Sequence, residues 1–146
     1  MKTLLTGAGG LVGSTINADL VISNRNQLDL RDWDNTHSYF KDFRPEAVIH
    51  TAGKVGGLGA NMNYMAEFYY DNIMINTNVL EAARRTGVKK VVSFLSTCIF
   101  PALAQYPLTE DQLHNGKPHD SNFGYAHAKR MLEVHSRAIA TQYGLN

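Results

Sequence analysis

The chain holds a single cysteine, Cys98, and four prolines among its 146 residues. One thiol cannot close an internal disulfide, and its scarcity fits a reducing compartment. No apolar run approaches the roughly 20 residues of a membrane span, so no membrane partner is expected. Charge of one sign is also lacking: 14 Lys and Arg stand against 13 Asp and Glu, a net charge of +1, with no basic block or acidic tail. That balance gives no reason to expect nucleic acid or an anionic surface as a partner. Met1-Lys-Thr-Leu-Leu5 runs directly into glycines, which leaves no room for a signal peptide. A cytoplasmic location is the resulting expectation.

What is present suits one domain over residues 1–146. Hydrophobic residues make up 44% of the chain, enough for a real core. Short apolar runs at 2–6, 20–23, 47–51 and 91–95 read as strands, with a further very short one at Leu28-Asp-Leu30. Between them, apolar spacing at 33, 36, 39, 40 and 43 gives a helix from Trp33 to Phe43, stopped by Pro45. Met65, Phe68, Ile75, Val79 and Ala82 share one face of a long helix over about 62–85, ended by Gly87. Residues 98–120 form an irregular loop, and a last helix spans about 123–143. Alternating strands and helices predict an α/β fold, a doubly wound parallel sheet of about five strands covered on both faces. Only 13 residues separate Thr6 from Leu20, close to the minimum for a parallel crossover, so the helix over about 11–18 has two turns at most.

Gly7-Ala-Gly9-Gly10-Leu11-Val12-Gly13 falls between the first strand and that short helix. Glycines there allow a sharp turn and close approach of backbone to a pyrophosphate, whose charge a helix N-terminus stabilises. A bare glycine triplet is also what a plain turn uses; the preceding strand favours the dinucleotide reading. At the end of the second strand, an acidic residue would bind the 2′-hydroxyl of NAD, and an arginine would take the 2′-phosphate of NADP. The chain has Ser23-Asn-Arg25 and no carboxylate before Asp29, which points to NADP with Arg25 as phosphate partner. The alternative is a solvated surface arginine.

Tyr125 and Lys129 lie four residues apart, so phenol and ammonium share one helical face. A nearby cation lowers a phenol's pKa from about 10 and makes it a usable proton donor to a carbonyl. Ser96, after the last strand, offers that carbonyl a second hydrogen bond. Cys98 is either an inert core residue or an acid/base: a thiol, ordinarily near pKa 8.5, shuttles protons once ionised. No metal is expected. His127 and His135 are two turns apart, His114 and His119 lie in the proline-bearing loop, and His50 ends a strand as a packed residue.

Several stretches together carry a resemblance: Thr6–Gly13, His50-Thr-Ala-Gly-Lys-Val-Gly-Gly57, Asn76–Ala83, Phe94-Leu-Ser-Thr-Cys-Ile-Phe-Pro101, His114-Asn-Gly116 and Asn122–Lys129. They resemble the extended short-chain dehydrogenase/reductases, and within them the GDP-L-fucose synthase family. The resemblance implies an NADPH-dependent enzyme that inverts C3 and C5 of GDP-4-keto-6-deoxy-mannose and then reduces the C4 ketone. By resemblance, Tyr125 protonates the C4 oxygen, Lys129 holds the nicotinamide ribose and tunes Tyr125, Ser96 hydrogen-bonds the ketone, and Cys98 exchanges protons at C3 and C5. The cofactor contacts expected from motif and resemblance are Gly7, Gly9, Gly10, Leu11, Val12, Gly13, Arg25, Asp29, Leu30, Ala52, Thr97 and Lys129. The family's chains are longer. Their second half adds the remaining strands, a histidine acid/base and a substrate domain. About half an active site is therefore expected here, with Val91–Leu95 left as an uncovered sheet edge. A homodimer through the helices 62–85 and 123–143 is implied as well.

Overall fold

Four short runs of leucine, valine and isoleucine form the strands: β1 (Thr3–Thr6), β2 (Leu20–Ile22), β3 (Ala47–His50) and β4 (Lys90–Ser93). In the computed structural model, which describes Met1–Asn146, they pair in parallel in the order β2-β1-β3-β4. The chain winds outward from β1 in both directions, an incomplete Rossmann-like sheet, and the direction changes between β1 and β3. In such sheets that switch point opens a crevice at the strands' carboxyl ends.

The helices begin and end where local chemistry dictates. Helix α1 (Trp33–Phe43) starts at Asp32, whose carboxylate accepts from the Asn35 amide at 3.0 Å, and stops at Arg44 in the left-handed region. Helices α3 (Met65–Thr86) and α4 (Phe123–Tyr143) both end on left-handed glycines, Gly87 and Gly144. Helix α2 (Leu58–Asn63) precedes α3, and Tyr64, with φ −129° and ψ 40°, breaks the single helix expected over 62–85.

Register sorts the sheet into two unlike faces. Leu20, Leu4, Val48 and Val91 form one row, and Ile22, Thr6, His50 and Ser93 the next on the same side. Against them pack Phe40 from α1 and Ile75, Val79, Ala82 and Ala83 from α3. Leu132 and Ile139 of α4 join through Leu80 and Val91. Within this face His50 is fully buried. Its ring nitrogens meet Thr6 Oγ1 at 2.7 Å and Asn76 Oδ1 at 3.0 Å, tying β1, β3 and α3 together. Burial first, then the Lys129 charge, hold its pKa down to about 4 against the Asn76 hydrogen bond.

The opposite face carries the row Val21, Leu5, Ile49 and Val92. Leu5 is fully buried, but Val21 and Val92 remain 41% and 43% exposed. The expectation of helices over both faces therefore fails. Over β1 and β2 the cause is their short connection: in place of a helix over 11–18 there is one 3-10 turn, Gly13–Thr15, and the chain is extended again at Ile16. The fifth strand is also absent. Leu28–Leu30 makes no ladder; the Leu30 and Arg31 carbonyls instead accept from the Asn78 side chain of α3, at 3.0 and 2.9 Å. Strand β4 closes one edge of the sheet, and its Val91 amide donates to the Asn146 carbonyl at 2.7 Å.

Phe40 is fully buried in the main core, whereas Phe43, one turn on, is 41% exposed. Phe40→Ala is expected to lower unfolding stability by about 3–5 kcal/mol, the usual cost of emptying a phenylalanine site. Phe43→Ala should cost well below that, both read from urea denaturation midpoints.

Candidate active site

At the carboxyl ends of β1, β2 and β3 lies a cleft of about 570 Å³, inside the size range of small-molecule sites. The glycine loop forms its floor. Gly7 has φ +79°, and a Cβ there would stand 2.6 Å from the Ala52 amide nitrogen. A Cβ on Gly9 would come within 2.7 Å of the Ser23 carbonyl, and one on Gly13 would overlap the Gly7 carbonyl. At Gly7, Gly9 and Gly13 the loop thus packs backbone on backbone, with no room for a side chain. Gly7 and Ala8 donate to the Ile22 carbonyl, Gly9 to that of Ser23 and Gly10 to that of Gly7, whereas the amides of Leu11 and Val12 have no backbone acceptor. Leu11, 92% exposed, stands at the open side of the loop. These two amides, and the cradle the glycines leave, fit an anionic phosphate group. Helix support for that charge is missing: a single 3-10 turn carries almost none of the dipole of a full helix.

Of the residues expected to contact a cofactor, Gly7, Gly9, Gly10, Leu11, Val12, Gly13, Arg25, Asp29, Leu30 and Ala52 all line this cleft. Asp29 does not face it as a free carboxylate. Arg31 holds both its oxygens, Nε to Oδ1 at 2.9 Å and Nη2 to Oδ2 at 2.6 Å, and this bonding pulls its pKa down to about 2. Ser23, Asn24, Thr51, Gly53, Lys54 and Val55 also line the cleft and were not singled out from sequence. Lys54 lies within the stretch that carried the family resemblance, and that stretch was its only signal.

Thr97, Ser96, Cys98, Tyr125 and Lys129 form a second group, outside the cleft's lining. Residues 97–99 make a 3-10 turn whose N-cap is Ser96, with Ser96 Oγ accepting from the Cys98 amide at 3.3 Å. Two consecutive basic residues fasten α4 to this segment. Lys129 Nζ donates to the Phe94 carbonyl at 3.0 Å, and Arg130 Nε to the Ile99 carbonyl at 2.5 Å. Gly124 lets the start of α4 approach α3, since a Cβ there would sit 2.5 Å from the Met65 carbonyl. Thr97 is exposed, and Ser96, Cys98 and Tyr125 are half-buried.

The two groups meet at Gly53. This residue lines the cleft, and a Cβ on it would stand 3.8 Å from Lys129 Nζ. The electrostatics differ from the expectation in one respect. Burial, and next the proximity of Cys98, push the Tyr125 phenol above its ordinary pKa, and only the Ser96 hydroxyl works to lower it. Lys129 Nζ donates to the Phe94 carbonyl, and its charge is not among the causes that set the Tyr125 pKa. Burial in turn lowers the Lys129 pKa to about 8.

The profile of the NAD dependent epimerase/dehydratase family matches residues 3–146, and the chain belongs to that family. It is similar to a GDP-L-fucose synthase of Dictyostelium discoideum, 46% identical over 97% of this chain and 47% of the relative. Among solved structures, a GDP-L-fucose synthetase from Naegleria fowleri bound to NADP is 41% identical with a TM-score of 0.82, over 98% of this chain and 50% of the other. The structure named DdhaC superposes with a TM-score of 0.95 at 35% identity, over 99% of this chain and 44% of the other. The chain spans about half the length of the curated relatives it matches. No helix is long and apolar enough to cross a membrane.

The Lys129 shift fixes a pH signature. Its pKa falls from 10.5 to about 8 on folding, so between those values the unfolded chain binds the extra proton. Stability is therefore expected to rise from pH 8 to 10.5. Comparing thermal unfolding of the wild type with Lys129→Met across that window checks this: the difference in slope should vanish if Lys129 titrates normally.

Proposed function

We propose that this chain is the cofactor-binding part of an NADPH-dependent epimerase-reductase that converts GDP-4-keto-6-deoxy-mannose to GDP-L-fucose. The observation that carries the reading is the meeting, at Gly53, of a glycine-floored anion cleft with the Lys129 end of the Ser96–Tyr125 group. NADPH, when bound, supplies the hydride for ketone reduction. Leu11 and Val12 amides would receive the pyrophosphate, Arg25 the 2′-phosphate, and Gly53 admits the nicotinamide ribose beside Lys129.

In this reading Tyr125 Oη gives its proton to the C4 oxygen, and Ser96 Oγ holds the same oxygen by a hydrogen bond. Burial and Cys98 make this phenol a weaker acid than a free one, but a developing alkoxide is a stronger base still and takes its proton. The same two donors stabilise the enolate oxygen formed when a proton leaves the carbon beside the ketone. In the same reading Cys98, on the turn capped by Ser96, takes and returns that proton. A homodimer through α3 and α4 belongs to the same reading, supported by Tyr70 and Met131, left 59% and 39% exposed on those packed helices.

Titration of the chain with NADPH and NADH tests the cofactor assignment. NADPH should bind at least about tenfold more tightly, the effect of one or two charge-assisted hydrogen bonds to a phosphate. Gly13→Val should abolish binding of both. Equal affinity, or tighter NADH, would count against the assignment and favour an epimerase that recycles NAD.

A further inference from the structure

Behind the ribose end of the cleft, one carboxylate gathers three cations. Asp71, on α3, is only 5% exposed. Its Oδ1 accepts from Arg31 Nη1 at 2.9 Å; Lys54 Nζ lies 3.2 Å and Arg25 Nη2 3.7 Å from Oδ2. Arg31 is the pivot, since its remaining nitrogens grip Asp29. Arg25, Asp29 and Lys54 line the cleft, while Arg31 and Asp71 stand behind it. Three cations against two carboxylates leave this wall with one positive charge. Burial works to raise the Asp71 carboxyl, but the Arg31 and Lys54 hydrogen bonds outweigh it, so the carboxylate is charged at neutral pH.

A free Asp29 beyond the second strand would accept from a ribose 2′-hydroxyl and repel a 2′-phosphate. Arg31 occupies both its oxygens in a fork that leaves little capacity for a hydroxyl. Arg31 stays there because Asp71 holds its other arm. Arg25 is the most loosely held of the three, at 3.7 Å and with its side chain 53% exposed. It is the cation freest to turn from Asp71 toward an arriving anion. We propose that Asp71 is a positioning residue for nucleotide selection: by holding Arg31 over Asp29 and drawing Arg25 and Lys54 to one wall, it makes the ribose end of the cleft accept a phosphomonoester in place of a free hydroxyl. The inference rests on the NADP reading of the cleft.

Charge alone makes the opposite prediction, because removing Asp71's negative charge would render the wall more cationic and tighten NADPH. Calorimetric titration of wild type and Asp71→Asn with NADPH and with NADH separates the two. With Asp71 as organiser, NADPH weakens by about tenfold, NADH changes by about twofold or less, and the selectivity ratio collapses. A ratio that is unchanged or higher overturns the proposal, and so does an equal loss for both cofactors, which marks a purely structural role. Arg31→Gln supplies an independent arm should Asp71→Asn fail to fold. It frees Asp29, so NADH must gain on NADPH, and an unchanged ratio overturns the proposal. A wild-type chain with no preference for NADPH overturns the NADP reading itself, whereas a preference that survives both substitutions overturns only the role of Asp71.

Discussion

Thirteen residues, Gly7 to Asp19, connect β1 to β2, and the rest of the molecule is arranged around that short length. A parallel crossover needs about a dozen residues merely to return to the start of the next strand. The segment spends most of its length on the glycine loop, has one 3-10 turn to spare, and then must extend. One consequence is that Val21, on the far face of β2, is left 41% exposed. Another is an anion cradle without a helix behind it. Full helix termini contribute about 0.3–1 kcal/mol to a nearby charge, and up to about 2 in favourable geometry. Here that contribution has to come from loop amides and from side-chain cations.

The cations are present, and they are organised rather than scattered. Arg25 and Arg31, from the β2–α1 connection, and Lys54, from the segment after β3, converge on a carboxylate carried by α3. Exposed ion pairs contribute little because water screens them and long side chains resist being fixed. A nearly buried Asp71 changes that by giving three flexible side chains a common anchor. A similar economy holds at the other end of the cleft. Lys129 and Arg130 reach in opposite senses from one helix to carbonyls on either side of Ser96 and Cys98. The segment with the chemistry is thereby fixed to the helix that bears Tyr125.

Much of this was legible in the sequence where a local rule acts alone. Helix α4 spans 123–143 as expected, α1 runs from Trp33 to Phe43 as its spacing requires, and Gly87 stops α3. The glycine loop and Arg25 fall on one cleft as their positions after β1 and β2 imply. What failed depended on partners distant in sequence. Leu28–Leu30 has strand-like residues, yet Asn78, 48 positions from Leu30, takes its carbonyl and no ladder forms. The spacing of Tyr125 and Lys129 implied an ammonium lowering a phenol's pKa, but burial, and next Cys98, 27 positions from Tyr125, raise it. Asp71 carried no motif at all, and only folding shows three cations around it.

A dinucleotide pyrophosphate has to rest on the glycine loop without a helix to support it. Backbone amide chemical shifts during an NADPH titration of the isotopically labelled chain test this most directly. The amides of Leu11 and Val12 should show the largest changes, moving together with Gly7 and Gly53. Saturable binding that leaves Leu11 and Val12 unmoved while residues elsewhere shift would contradict the claim and place the cofactor outside this cleft.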